Sequence, residues 1–314
     1  MASPLLYRRA IPAAARITHW TASDGWALRR FDWPAEGTPR GSILFQGGRG
    51  DIFEKYLELF AHWHGQGWGV TWFDWRGQAG SGRLTPNPQV GDIDNFSTYI
   101  VDFKEFFDAW SAQAAAPQIV VGHSMGGHLV LRAAVEGVAK PDALVLVAPM
   151  LGLKTGFGAA LGERVARLIG GIGNAMRPAW KGNEKPGALD TRQSLLTHDA
   201  ERYADEIWWQ ETKPEIVTGP PSWRWVIEAF ASTRQLRAES RLKAMRIPTL
   251  MLVPTADELV DAKAAIVLAP KLHDCRLLRF GKEAAHEVLR EVDSVRNRAI
   301  GEIDIFLASR AQQG

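Results

Sequence analysis

The chain has 314 residues, 46% hydrophobic and 23% charged, and its 37 Lys and Arg nearly balance 35 Asp and Glu. This is an ordinary globular composition, long enough to bury a full core as one large or two medium domains, and it offers no basic field for nucleic acid. The single cysteine, Cys275, excludes an internal disulfide and a CxxC metal pair, which fits a reducing, cytoplasmic setting. Met1 to Arg16 has no apolar stretch that would serve a signal peptide, and no apolar run reaches membrane-spanning length.

Residues 17–33 alternate around Ser23-Asp24-Gly25 and predict a β-hairpin. Short apolar runs follow at Ser42–Phe45, Val70–Phe73, Gln118–Val121, Ala143–Val147 and Thr249–Val253, with a weaker one at Arg276–Phe280. Each stops at Gly, Pro or a polar residue, as fully buried parallel strands do. Between them Tyr56, Leu57, Phe60, Ala61 and His64 share one helical face, as do Tyr99, Phe103, Phe106, Phe107 and Trp110. After His286 the positions Val288, Leu289, Val292, Val295, Ile300, Ile303 and Phe306 recur mostly at threes and fours. Alternating β and α elements predict an α/β fold, a mostly parallel central sheet with helices on both faces.

The alternation stops over residues 151–240, which read as helical and loop-rich, with Gly170-Gly171, Pro178, Lys185-Pro186 and Gly219-Pro220-Pro221. The expected division is a core of residues 1–150 and 241–314 and a helical cap, 151–240, inserted after the sixth strand. Long insertions at the carboxyl end of such a sheet sit where ligands bind.

The most informative stretch is Gln118 to His128, where an apolar strand runs into Gly122-His123-Ser124-Met125-Gly126 and then into a helical pattern. A G-x-S-x-G sequence is weak alone, but a strand-to-helix turn is the context in which it lifts a serine hydroxyl above a sheet. Ser124 is therefore the candidate nucleophile. The amide of Met125, at the helix start, is one expected oxyanion donor. The second should come from Gln46-Gly47-Gly48-Arg49-Gly50-Asp51, where spacing to Tyr56 favours the amide of Arg49, with Gly48 as the alternative.

A serine hydroxyl needs a base, and the base needs an acid to hold its tautomer. In this architecture they follow the serine in the order acid, then histidine. Asp257 follows the strand Thr249–Val253, and Glu258 and Asp261 in the same loop suit helix-start charges better. His286 precedes the terminal helix and is the candidate base. His273 lies at the wrong end of the last strand, His123 should turn into sheet packing, His128 reads as core or pocket wall, and His19, His62, His64 and His198 lack supporting context. No HExxH pattern is present, so no metal is expected and the chemistry asks for no cofactor.

These residues resemble the serine α/β-hydrolases of the monoacylglycerol lipase and lysophospholipase group. Ser124 lies in G-H-S-M-G-G; Asp74 to Arg83 resembles the group's D-x-R-G-x-G-x-S stretch; Gly48-Arg49-Gly50-Asp51 with Lys55-Tyr56 resembles a pattern of the bacterial lysophospholipases; Asp257 to Val260, and His286-Glu287 with Glu291, resemble its acid and base segments. The resemblance covers roughly residues 15–150 and 240–310 and implies an α/β-hydrolase fold and an acyl-enzyme mechanism. Gln46-Gly47-Gly48 departs from the usual H-G, and Ala79 stands where many members have Gly.

Substrate choice is expected in the cap. Leu161, Val165, Leu168 and Ile169 form an apolar helical face, and Trp180, Trp208, Trp209, Trp223 and Trp225 add aromatic surface. Over a catalytic serine such a cap suits a monoacyl lipid, and the same face suits peripheral contact with the inner membrane surface. Packing of cap onto core is the competing reading of these residues. An aminopeptidase, acyltransferase or small-ester esterase, or a non-catalytic binding protein, remain alternatives; an aminopeptidase would want an acidic pocket, for which Glu201, Asp205 and Glu206 are candidates against a solvated helix face. Oligomeric state is not legible.

Overall fold

The computed structural model describes residues 8–156, 158–180 and 189–311; Lys185-Pro186, named above in the loop-rich stretch, lies outside them. Eight strands form one sheet in the order β1-β2-β4-β3-β5-β6-β7-β8. The hairpin supplies β1 (Arg16–Thr21) and β2 (Ala27–Trp33), which pair antiparallel, and β2 pairs antiparallel with β4 (Trp68–Phe73). From there the sheet is parallel through β3 (Gly41–Gln46), β5 (Gln118–His123), β6 (Ala143–Val147), β7 (Thr249–Pro254) and β8 (Cys275–Phe280).

Side-chain alternation along each strand divides the core in two. Ile43, Phe45, Val121, Val145 and Leu252 join one apolar cluster, under α1 (Leu57–Gly65) and the terminal helix α9 (Asp293–Ala311). Leu44, Val120, Leu144, Leu146 and Met251 join the other, under α2 (Phe96–Ser111) and α3 (Ser124–Glu136). Both faces are covered, which is why the central strands read as unbroken apolar runs.

Two expected helices differ in detail. A 3₁₀ turn at Phe53–Tyr56 precedes α1, and the face that α1 buries is Leu57, Leu59, Phe60 and Trp63, with Ala61 and His64 at its margin. A separate 3₁₀ turn, Val288–Arg290, intervenes between His286 and α9.

Between β6 and β7 the described residues form four α-helices, α4 (Ala159–Gly170), α5 (Leu189–Leu196), α6 (Ala200–Thr212) and α7 (Trp223–Ala238), two short 3₁₀ turns, and no named strand. The helix α7 inserts Trp225, Val226, Ala229 and Phe230 into the cluster beneath α2 and α3. After β7, Asp261 caps α8 (Ala262–Leu268) through the amides of Lys263 and Ala264.

Candidate active site

The chain enters the candidate site at the end of β5. Ser124 has φ +52°, a left-handed value for a residue with a side chain, and such strain persists only where the surroundings impose it. Neighbouring glycines do so here. A Cβ on Gly122 would lie 2.7 Å from Gly127 Cα, and one on Gly126 would lie 2.4 Å from the carbonyl oxygens of Gln46 and Gly47. The two outer glycines of G-x-S-x-G thus let the turn close against α3 and against the end of β3.

Ser124, Asp257 and His286 come together from three separate loops. His286 Nε2 lies 2.8 Å from Ser124 Oγ, and its Nδ1 lies 2.6 Å from Asp257 Oδ2. Asp257 Oδ1 accepts the amides of Leu259 and Val260 at 2.7 and 3.0 Å, which fixes the carboxylate's orientation. Ser124, His286 and Asp257 are 9%, 4% and 2% exposed. Burial pulls the His286 pKa down, but the charge and hydrogen bond of Asp257 outweigh it and leave the imidazole above its ordinary value. Burial pushes Asp257 up, and the imidazole together with the two amides holds it below the ordinary carboxylate range. Of the rivals, Glu258 is paired with Lys154 at 2.8 Å with its side chain 60% exposed, and Asp261 is occupied as the cap of α8.

The candidate oxyanion loop is tied down at several points. Gly48 donates its amide to Asp51 Oδ2 at 2.7 Å, so the alternative donor is already engaged. A Cβ on Gly48 would come within 2.9 Å of Ser124 Cβ, so the loop passes directly over the serine. Gly50 donates to Gln78 Oε1, and Gln78 Nε2 donates to Tyr99 Oη. The Arg49 side chain reaches Gly219 O at 2.6 Å and lies over the Trp225 ring. Met125 follows Ser124 at the start of α3, where the first amides of a helix have no intrahelical partner.

Several residues beside the site carried no sequence signal for their place in it. His123 does not turn into apolar packing. Its Nδ1 lies 2.9 Å from Asp51 Oδ2 and 3.1 Å from Tyr56 Oη, its Nε2 is 3.4 Å from the carbonyl of His286, and its ring faces the His286 ring. Behind this, Lys55 Nζ contacts Asp51 and Glu287 at 2.5 Å each and Glu206 at 3.4 Å, and Arg290 pairs with Glu206 and Glu287. His198 Nδ1 meets Glu291, whose carboxylate also accepts the amide of Ala285. The amides of His286 and Glu287 donate to the carbonyls of Leu195 and Leu196, so the end of α5 holds the histidine loop. The signals available were Asp51 with the Lys55-Tyr56 pair, and Glu287 with Glu291, all noted only as likeness.

The Asp74–Arg83 stretch is structural. Asp74 accepts from Arg29, Trp72 and Gly80, and Arg76 pairs with Asp24 and Asp102. Ala79 takes φ +43°, the conformation that favours Gly, and donates its amide to Thr218 Oγ1.

The tryptophans expected in the cap divide. Trp209 is buried, donates to Arg8 O and stacks edge-on against Trp208, over which Arg9 lies. These contacts seat both rings on the N-terminal segment. Trp223 lies under Arg177, and Trp225 packs on Phe96 beside Arg49. The acidic candidates divide too: Glu201 is exposed, as a solvated helix face would have it, but Asp205 is buried against Arg8 and Arg9, and Glu206 against Lys55 and Arg290. Among the described residues no His, Cys, Asp and Glu cluster could hold a metal ion.

Residues 37–293 match the family described as "Serine aminopeptidase, S33". The chain is 27% identical over 287 residues to lysophospholipase L2 of Escherichia coli, covering 85% of this chain and 80% of that protein. It is 24% identical over 308 residues to the human monoglyceride lipase, covering 94% and 91%. Among solved structures, a soluble variant of the Saccharomyces cerevisiae monoglyceride lipase superposes with a TM-score of 0.75 at 18% identity, covering 95% of this chain and 97% of that one. The Paleococcus ferrophilus monoacylglycerol lipase gives 0.70 at 20% identity, covering 90% and 99%. The fold is the α/β-hydrolase fold.

Proposed function

The chain belongs to the serine aminopeptidase family of α/β-hydrolases, and from that premise we propose that it is a serine hydrolase that cleaves carboxylic esters, with a monoacyl lipid, a lysophospholipid or monoacylglycerol, as its substrate. The observation that carries the reading is the unbroken hydrogen-bonded line from Ser124 Oγ through the imidazole of His286 to Asp257. The residues 151–240 act as a cap on a core of 1–150 and 241–314.

His286 Nε2 takes the proton of Ser124 as Oγ bonds to the ester carbonyl carbon. The negative charge that gathers on the carbonyl oxygen is held by the amides of Met125 and Arg49, and a single donor of this kind is worth about 10²–10³ in kcat. The ester C–O bond then breaks, and His286 gives its proton to the departing alcohol oxygen. Water enters, loses a proton to His286 and bonds to the acyl carbon; the bond to Ser124 Oγ then breaks, and His286 returns that proton to Oγ, releasing the carboxylic acid. Asp257 stays ionised throughout and stabilises the imidazolium.

The lipid part of the proposal draws on the names of the lysophospholipase and monoglyceride lipase relatives and on the apolar cap. An aminopeptidase reading loses support, because Asp205 and Glu206, the carboxylates it would use for a substrate amino group, are already paired with cations of the chain, Asp205 with Arg8 and Arg9 and Glu206 with Lys55 and Arg290. The protein works in the cytoplasm in this reading and meets the inner membrane surface through its cap; among the described residues no helix is long and apolar enough to cross a membrane.

A fluorophosphonate probe tests the nucleophile: it labels the wild-type protein and not Ser124→Ala, and equal labelling of both removes the assignment. A series of p-nitrophenyl esters tests the substrate class: long acyl chains are preferred, and a profile best at acetate or butyrate removes the lipid.

A further inference from the structure

Asp51 closes the turn that passes over Ser124 from both ends. Its Oδ2 accepts the amide of Gly48 at 2.7 Å, and its own amide donates to the carbonyl of Gly48 at 3.3 Å. Arg49 and Gly50 form the crown of the turn, and Gly50 takes φ +73°, the positive value that a type II turn needs at its third residue. The amide of Arg49, expected to hold the oxyanion, is therefore carried on a turn whose shape one side chain fixes.

The same oxygen serves the base. Oδ2 also meets His123 Nδ1 at 2.9 Å and accepts the Tyr56 hydroxyl at 3.0 Å. The His123 ring lies against the His286 ring, and its Nε2 is 3.4 Å from the His286 carbonyl. The other carboxylate oxygen, Oδ1, is held by Lys55 Nζ at 2.5 Å, and Lys55 is fixed in turn by Glu287 and Glu206. Asp51 is only 8% exposed. Stability alone does not account for a carboxylate at this depth, because a buried ion pair exchanged for apolar groups of similar size often loses none. What apolar groups could not do is gather the Gly48, Tyr56 and His123 contacts at one point.

We propose that Asp51 is a positioning residue for the reaction, one carboxylate oxygen that sets the oxyanion turn and the base histidine relative to each other. In the transition state charge appears at both places at once, negative on the carbonyl oxygen and positive on the His286 ring. Donors act there only if they already stand where the charge forms. Two groups on separate anchors can drift apart, and a shared anchor keeps one spacing. This role deepens the reading of Ser124 and His286 as nucleophile and base, and rests on it.

A pair of double variants separates the acceptor from the ion pair. Asp51→Asn/Lys55→Met and Asp51→Leu/Lys55→Met both lose the pair and leave no lysine charge behind, but only the first keeps an oxygen for Gly48, Tyr56 and His123. On a soluble p-nitrophenyl ester the first keeps kcat within about tenfold of wild type, and the second falls roughly 100-fold below the first with KM little changed, as for catalytic groups displaced by about 1 Å. Binding of an alkylboronic acid, whose tetrahedral adduct on Ser124 resembles the intermediate, weakens in step with kcat. An ion-pair role alone would leave the two variants alike. Melting curves that overlay tie the difference to the site, and Asp51→Ala/Lys55→Met makes the same cut with a smaller side chain should the leucine replacement not fold. Equal kcat in the two variants, a loss in KM alone, or boronate binding that stays level while kcat falls overturns the proposal, and leaves fluorophosphonate labelling of Ser124 and the hydrolase reading in place. A wild type that neither labels nor cleaves the ester removes the hydrolase reading and the role of Asp51 with it.

Discussion

The imidazole of His123 faces that of His286 with 4.8 Å between ring centroids. The residue next to the candidate nucleophile in sequence thus supports the candidate base, and its own position is set by Asp51 and Tyr56. Replacing His123 by Ala opens space beside the His286 ring and lets it turn off the 2.8 Å line to Ser124. A misplacement of about 1 Å in such a constellation can cost roughly 10²-fold. The expected outcome is a kcat lower by about 10- to 100-fold with KM little changed, and a partial recovery in His123→Phe, which restores the ring without its Asp51 contact. Steady-state kinetics on a soluble ester check it, and a wild-type kcat in His123→Ala would show that the ring supports nothing.

The pH dependence follows from the pair beneath the serine. The base must be neutral to accept a proton, so kcat/KM rises as pH passes upward through the His286 pKa. Burial lowers that pKa and the Asp257 carboxylate raises it further than burial lowers it, so the acid limb of the profile lies above the ordinary histidine value of about 6.5. In Asp257→Asn the raising partner is lost and the limb moves to lower pH, while kcat falls by about 10⁴-fold because the tautomer is no longer held. A profile of the variant that keeps the wild-type limb would take Asp257 out of the role.

Space around the serine gives a third expectation. In Gly126→Ala the new methyl would meet two main-chain carbonyl oxygens of the β3 end, and the turn must shift or the helix move away. Overpacking of this kind costs about 1–3 kcal/mol. The variant therefore melts at lower temperature and labels slowly with a fluorophosphonate. Gly48→Ala differs: its methyl would press on Ser124 Cβ and Oγ at 2.9 and 3.3 Å, so labelling falls while the melting temperature moves less. Similar labelling rates for Gly48→Ala and wild type would show that the loop can retreat from the serine.

Much of this was legible in the chain because each signal was local. The runs Gln118–Val121 and Thr249–Val253 are buried on both faces and show it in their composition, and Ser124, Asp257 and His286 each follow a strand end at the expected turn. What escaped reading depends on contacts between distant residues. His123 looked like packing because its partners, Asp51 and the carbonyl of His286, are 72 and 163 residues away. Glu206 looked like a solvated helix residue because its neutralising cations, Lys55 and Arg290, come from the core. The apolar face of α4 looked ready to be buried, yet Leu161, Leu168 and Ile169 are exposed and the small residues Gly162, Ala166 and Gly170 take the inward side, a choice set by contacts with Phe230 and Ile227 of α7, far along the chain.

The buried charge cluster behind His286 gives the last expectation, for stability. Lys55 sits between Asp51 and Glu287 at 2.5 Å from each, with its side chain 3% exposed. Removing one member of a buried ion pair costs about 3–5 kcal/mol; Lys55→Met leaves the buried carboxylates of Asp51, Glu206 and Glu287 to share Arg290 and the contacts of Asp51 with His123, Tyr56 and Gly48, so it unfolds at lower urea concentration than wild type. The pH dependence has a definite sign. Burial pushes Asp51 and Glu287 up, but Lys55 with His123, and Arg290 with Lys55, outweigh it, leaving Asp51 well below the ordinary carboxylate range and Glu287 at about 2. A depressed carboxylate stabilises the fold above its unfolded pKa of about 4, and that stability is lost as pH falls through the folded value. Lys55, raised by the same partners against burial, contributes below its unfolded value of about 10.4 and loses that only as pH climbs through the folded one. Urea unfolding from neutral pH down to about pH 3 should show wild type losing stability steeply and Lys55→Met losing less, because its carboxylates are no longer held down; parallel curves would show that the cluster contributes no linkage of its own.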